Sequence, residues 1–313
     1  MKRSRGGFAL MAAMWLVVLV GVTGLALSTR ARSRRLGIVN AIEQVQTNAA
    51  ADAALETGRA QLEQLVAHPL SGPDAALDPW GDLSIFHGDT IRLGNERATV
   101  VAYDAGSRLN VNRASEGELQ HLLAALNTDA EMAAQLAARI MDWRDADSFR
   151  RSRGMERDDY LRLGARSLPT NADFAHPEEL REIAGMSDSI YTRLAPNVTV
   201  LGDGRVNVNS ASREVLAALP GLGEEAISAI LGARQGHRPI RSVEELTNRL
   251  SAGARQGIVD ANAELSQRIA FETREVVLEG TGWLASGAMR TRRSLVLQRS
   301  GDAVLVGAGD SRE

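Results

Sequence analysis

The distribution of apolar and polar positions divides the chain before any single motif is read. From Phe8 to Thr29 there is no charged residue. At about 1.5 Å rise per helical residue, such a run covers a hydrocarbon core of roughly 30 Å. Beyond it, Ile38, Ile42, Val45 and Ala49, and then Leu55, Leu62 and Leu65, recur within each group at spacings of three, four and seven, with Arg, Glu, Gln and Asn on the other faces. No proline occurs before Pro69. The spacing predicts one helix over 8–67, about 90 Å long. It is membrane-spanning over 8–29 and amphipathic in its last third, with Gly21, Gly24 and Gly37 as candidate bends. The proline-bearing "HPLSGPDAALDP" ends it.

Residues 80–103 alternate between apolar and polar and are broken by His-Gly-Asp and Gly-Asn, which predicts two or three strands. The same texture returns over 267–308, with glycine-rich turns. Between them, 109–265 reads as helical and contains an internal echo. "LNVNRASEGELQHLLAAL" from Leu109 resembles "VNVNSASREVLAALPGL" from Val206, aligning Asn110, Asn112 and Ser115 with Asn207, Asn209 and Ser212. In each copy an extended piece enters a helix, with the serine placed to cap it and acids in the first turn. Pro177-Glu-Glu-Leu and Val243-Glu-Glu-Leu extend the likeness. The expected architecture is α+β: a long N-terminal helix packed on an antiparallel sheet formed by 68–108 and 266–313, split around an all-α insertion at 109–265 with helix–hairpin–helix-like repeats.

Composition adjusts this picture in three places. Aromatics make up only 4% of the 313 residues, so Leu, Val, Ile and Ala must fill the core. Net charge is -3, which predicts no general attraction to nucleic acid. There is no cysteine, which excludes disulfides, thiolate metal sites and a cysteine nucleophile.

The uncharged run is bracketed by Lys2, Arg3 and Arg5 before it and by Arg30, Arg32, Arg34 and Arg35 after it. A cleaved secretory signal and a plain signal anchor both fit in outline, although the run is long for the former and no clear A-x-A site ends it. A third reading uses Gly6-Gly7, which lies between the charges and the apolar run. A peptidase cutting after Gly7 would leave the whole hydrophobic helix on the mature protein. This arrangement resembles the leader of type IV prepilins and type II secretion pseudopilins. The resemblance implies cleavage between Gly7 and Phe8 by a prepilin peptidase, with N-methylation of Phe8. Its usual glutamate, five residues into the mature chain, is replaced by Ala12. In the family that glutamate faces the terminal amine of the subunit ahead, so its loss suggests a subunit with none ahead, at a filament tip.

"LPGLGEEAISAILGARQGHRPIRSVEEL" from Leu219 resembles a helix–hairpin–helix, with Gly221 and Gly223 in a tight turn and a helix from about Glu224. DNA-binding versions hold a phosphate on the turn's backbone N–H groups. Here Glu224 and Glu225 stand where that phosphate would sit and would repel it. A membrane-anchored DNA-binding protein is therefore the rival reading, and a structural helix hairpin the preferred one.

"DWRDADSFRRSRGMERDDYL" from Asp142 gathers carboxylates of the kind that bind hard cations. Gly154 fits a turn bringing its two acidic groups together. The stretch reads equally as a solvated acidic loop neutralised by Arg144, Arg150, Arg151, Arg153 and Arg157, and its spacing is not that of an EF-hand. "DWRDAD", "GMERDDYL", "PTN", "EELREIAGM" and "VNVNSASREVLAALPGL" follow the order found in the K-type minor pseudopilins of type II secretion, which the chain resembles over nearly its whole length. The resemblance implies calcium in the insertion, on Asp142, Asp145, Asp147, Glu156 and Asp158. Arg157 stands where the family commonly has an aspartate, which implies one ligand fewer. It also implies I-type and J-type minor pseudopilins as partners, an inner-membrane anchor, a periplasmic soluble domain, and a structural role in export of folded proteins rather than an enzymatic one.

Other chemistry is scarce. There is no G-x-S-x-G, Walker loop or H-E-x-x-H, and His68, His87, His121, His176 and His237 do not pair at metal spacing. A hydrolase using the carboxylates of 142–159 would need a pocket with a raised carboxylate pKa.

Overall fold

The computed structural model describes residues 6–67, 78–83, 85–86, 88–287, 289–301 and 303–306. Most of the expected leader lies outside these residues, as does the side chain of Phe8. Helix α1 (Gly6–Ala67) is unbroken, and Gly21, Gly24 and Gly37 interrupt none of it. Its two halves live in different surroundings. Trp15 is 73% exposed, and Leu16 through Val20, Leu25 and Leu27 are exposed with it. Exposure of apolar residues runs past the predicted span, through Leu36, Ile38 and Ile42 to Val45. This is the one helix among the described residues long and apolar enough to cross a membrane. From Thr47 onward the inner face is buried, through Ala50, Ala51, Ala54, Leu55, Leu62 and Val66.

That face lies on a sheet. Strands β1 (Ile91–Leu93) and β2 (Glu96–Asp104) form a hairpin before the insertion. The insertion holds β3 (Leu109–Asn110), α2 (Glu116–Ala125), α3 (Ala130–Arg144), α4 (Arg157–Leu163), α5 (Asp188–Leu194) and β4 (Val198–Thr199). It continues with β5 (Val206–Asn207), α6 (Arg213–Ala218), α7 (Glu224–Gln235), α8 (Val243–Thr247), α9 (Ala252–Asp260), α10 (Asn262–Arg268) and β6 (Ile269–Ala270). Strands β7 (Glu275–Leu284), β8 (Arg290–Ser300) and β9 (Ala303–Val306) follow, giving an antiparallel sheet in the order β1-β2-β7-β8-β9.

Small residues set the distance between helix and sheet. A Cβ on Gly280 would stand 2.6 Å from the carbonyl oxygen of Ala51, and one on Gly282 would overlap that of Thr47. The backbones therefore nearly touch along β7. Thr47 and Thr291 share a hydroxyl hydrogen bond of 2.8 Å, and Arg293 of β8 pairs with Asp52. Trp80, fully buried, donates its indole N–H to the carbonyl of Leu62 at 3.3 Å. The segment before β1 forms no described strand; it supplies Trp80 and Phe86 to the core instead.

The insertion differs from the sequence reading in its extent. Its elements are helical apart from two parallel two-residue bridges, β3 with β4 and β5 with β6. It runs to Ala270 rather than 265, since Ile269 and Ala270 pair back to Val206 and Asn207 before the main sheet resumes at Glu275. The echo is a structural duplication. Asn110 and Asn207 each accept, through the side-chain oxygen, from the backbone N–H two residues on. Ser115 caps α2 in a full capping box with Glu118, and Ser212 caps α6. The Asn112 side chain brackets Phe174, and that of Asn209 brackets Ile240. The units differ most after their second helix. In the second, Ile240 follows the end of α7 within a few residues. In the first, the acidic stretch and α4 lie between Arg144 and Phe174.

Candidate metal centre

The acidic stretch is fixed at its root by α3. Trp143, buried, packs edge-on against Tyr160 of α4 at 5.3 Å between ring centroids and stacks on Phe174 at 6.4 Å. This clamps both ends of the inserted loop. Asp142, one residue before Trp143, is fully buried. It accepts from the backbone N–H of Arg151 at 3.2 Å and from the Arg151 guanidinium at 2.9 Å. Gly154 lies so close to that carboxylate that a Cβ there would overlap it. Glycine is needed for this approach, and its φ is not in the left-handed region.

Asp145, Asp147 and Glu156 each place a carboxylate oxygen within 4.8 Å of the others'. Glu156 is 7% exposed, and neither of its carboxylate oxygens has a well-formed hydrogen bond among the described residues, although the backbone N–H groups at the start of α4 face its charge. Asp145 Oδ1 is buried and unpartnered in the same sense. Burial pushes the carboxyls of Asp142 and Glu156 up, and for Glu156 the neighbouring charges of Asp142 and Asp145 add to it. Buried acceptors without donors are costly, and a divalent cation relieves that cost directly. An all-oxygen set of carboxylates suits a hard cation such as Ca²⁺ or Mg²⁺. The residues present therefore fit the calcium that the sequence implied, but with fewer ligands.

Of the five expected ligands, three converge. Asp142 is engaged by Arg151, and Asp158 is exposed on the first turn of α4. Arg157, which stands in place of a family ligand, is exposed on the same turn. The cation standing among the carboxylates is Arg151, which bridges Asp142 and Asp145 and lies 3.6 Å from Glu116. Sequence spacing carries no signal for that contact, because it is made across a non-repetitive loop. The other arginines are engaged elsewhere. Arg150 and Arg162 pair with Asp159, Arg153 with Glu131, and Arg144 with backbone carbonyls.

The second unit carries no comparable acidic group among the described residues. Gly221, at φ 75°, and Gly223 lie in the turn between α6 and α7. A Cβ on Gly221 would meet Ala261 at 2.6 Å, so the turn is packed against the end of α9. Glu225 accepts from Ser251 N and Oγ at 2.6 and 2.7 Å, and Glu224 pairs with Arg213. Acids thus hold the hairpin in place at the point where a DNA-binding version would receive a phosphate.

Two family models, both described as type II secretion system (T2SS), protein K, match residues 98–203 and 206–268. Together they take in more than half of the chain, and they meet between the two units. The type II secretion system protein K of Pseudomonas aeruginosa is 33% identical over 149 residues, 45% of this chain and 43% of that protein. That of Klebsiella pneumoniae is 31% identical over 146 residues, 42% of this chain and 45% of that protein. The matched stretch thus spans less than half the length of these curated relatives. The fold resembles a chain in the crystal structure of the GspK-GspI-GspJ complex from the enterotoxigenic Escherichia coli Type 2 Secretion System. The TM-score is 0.60 at 16% identity, covering 88% of this chain and 97% of that one. With both units matched in order, this chain belongs to the protein K family of type II secretion systems.

Proposed function

We propose that the chain is a minor pseudopilin that heads the pseudopilus of a type II secretion system, as a structural component supporting export of folded proteins. The observation that carries this reading is α1: one continuous helix whose apolar first part is exposed and whose last part is welded to the sheet. Such a helix serves first as a membrane anchor and then as a shaft that packs among other pilin helices. Cleavage between Gly7 and Phe8 removes only its first two residues and leaves the hydrophobic run in the inner membrane, with the remainder in the periplasm. Ala12 removes the usual glutamate, and the bulk of the insertion suits the end of a fibre rather than its shaft. The related protein crystallised with GspI and GspJ, which supports I-type and J-type minor pseudopilins as partners. Mass spectrometry of the mature N-terminus tests the reading. N-methyl-Phe8 is expected, and an intact Met1 or a cut near residue 30 would overturn it.

The second part of the reading is a calcium ion held by Asp145, Asp147 and Glu156. Its positive charge would satisfy the unpartnered oxygens of Glu156 and tie the loop after α3 to the start of α4. A chelator should then lower the melting temperature of the wild-type chain and leave Asp145→Ala unmoved. No chelator effect on the wild type would leave the stretch a plain acidic surface.

A further inference from the structure

The ligand set contains a cation of its own. Arg151 donates to Asp142 at 2.9 Å and also binds Asp145, whose other carboxylate oxygen is buried and unpartnered. Its backbone N–H is spent on Asp142 as well, so the whole residue is drawn inward. The guanidinium thus occupies two carboxylates beside the three-carboxylate group that would hold a divalent ion. One of these, Asp145, belongs to both sets. The acidic cluster does not stand alone as a sign of a ligand, since Glu156, 7% exposed, turns two unpartnered oxygens into it.

We propose that Arg151 is an affinity-setting residue. It holds the loop closed in the ion-free protein and weakens calcium by competing for Asp142 and Asp145. This rests on the calcium reading above. Two physical effects point the same way. A fixed positive charge within one ligand sphere repels an incoming dication. The Nη1 of Arg151, shared between the two carboxylates, also withholds Asp142 and one oxygen of Asp145 from coordination. The other face of the bargain is stability, because without an ion Arg151 neutralises a fully buried carboxylate. Removing it should therefore move two quantities in opposite directions.

The test uses the full chain in detergent micelles, titrated with calcium chloride alone by calorimetry and by thermal melting. Arg151→Gln should bind calcium at least about tenfold more tightly than wild type, since both effects are lifted. Its ion-free melting temperature should be lower. Arg151→Lys keeps the charge, so its affinity should lie nearer the wild-type value. Arg157→Gln, altered on an exposed side chain, should change affinity by less than about threefold. If Arg151→Gln needs calcium to fold, the calcium midpoint of circular dichroism reports the same comparison. Calcium binding to wild type, with equal or weaker binding to Arg151→Gln, overturns the competition. So does an Arg151→Lys variant as tight as Arg151→Gln. If neither wild type nor any of the three variants binds at millimolar calcium, the calcium reading falls and the proposal with it.

Discussion

Arg144 and Arg234 make the same contact in the two halves of the insertion. Each leaves the last turns of the second helix of its unit and turns its guanidinium onto two backbone carbonyls of the extended entry segment. For Arg144 these are Val111 and Ala114; for Arg234 they are Val208 and Ala211, the latter at 2.7 Å. Burial drives the pKa of both down to about 10, and both remain charged at neutral pH. The carbonyls lie at matching places in the duplicated sequence, so the arginines are a shared structural pin.

Replacing either arginine by leucine should therefore destabilise the fold by about 2–4 kcal/mol, because two buried carbonyls lose their donors. Lysine should recover only part of this, having no planar fork to span both carbonyls. Arg234→Leu should leave the calcium response intact, since it lies in the unit without the acidic loop. Denaturant unfolding of both leucine variants, with and without calcium, checks this.

The duplication shows where sequence reading reached and where it stopped. Asn110, Asn112, Ser115 and their second copies were legible because Asx turns and helix caps are local and have fixed offsets. The long helix was legible for the same reason. Arg144 and Arg234 were not paired by sequence, because the link between the second helix and the next element differs so much in length. Nothing in the sequence singled out Arg151 among the five arginines of the acidic stretch. Which side chain enters a cluster depends on the path of a loop, and that path has no periodicity. The strand limits also slipped. Ile269 and Ala270 have the texture of the following sheet, yet tertiary pairing gives them to the insertion.

The seat of α1 on β7 gives a second prediction. Gly282 leaves no room for a side chain beneath the carbonyl of Thr47. Gly282→Ala should push the helix off the sheet at a loss of about 3 kcal/mol. Gly117→Ala, in the exposed first turn of α2, should be neutral or stabilising by up to about 1 kcal/mol. Comparable melting temperatures for the two variants would mean that α1 does not rest on the strand as described.

Gly154 makes a sharper case at the metal centre. Its contact is with the carboxylate of Asp142, which cannot move without releasing Arg151. Gly154→Ala should open the loop and lower the ion-free melting temperature. It should also weaken calcium by more than about tenfold, because the ligands on either side of residue 154 would no longer converge. Calorimetry of this variant beside Arg151→Gln separates the two effects, since one is expected to weaken binding and the other to strengthen it.

Asp104 provides a prediction in pH. It ends β2, is 5% exposed, and ties the sheet to the second unit. It accepts from Gly106 N, Asn207 Nδ2, Ser210 Oγ and Thr273 Oγ1 at 2.8, 2.7, 2.6 and 3.1 Å. Burial nevertheless outweighs these four donors and holds the carboxyl above its ordinary value. A carboxyl raised in this way binds its proton more tightly in the folded state. Its contribution to stability is largest below the unfolded pKa, about 3.9, and declines as pH rises through the folded value. Asp104→Asn cannot titrate, and it turns an amide N–H₂ toward donors. It should therefore be less stable than wild type throughout, and the gap should narrow as pH rises from about 4 to about 7. Parallel denaturant melts across that range measure the gap. A gap that widens with pH would mean that the hydrogen bonds dominate burial and that the carboxyl sits below its ordinary value.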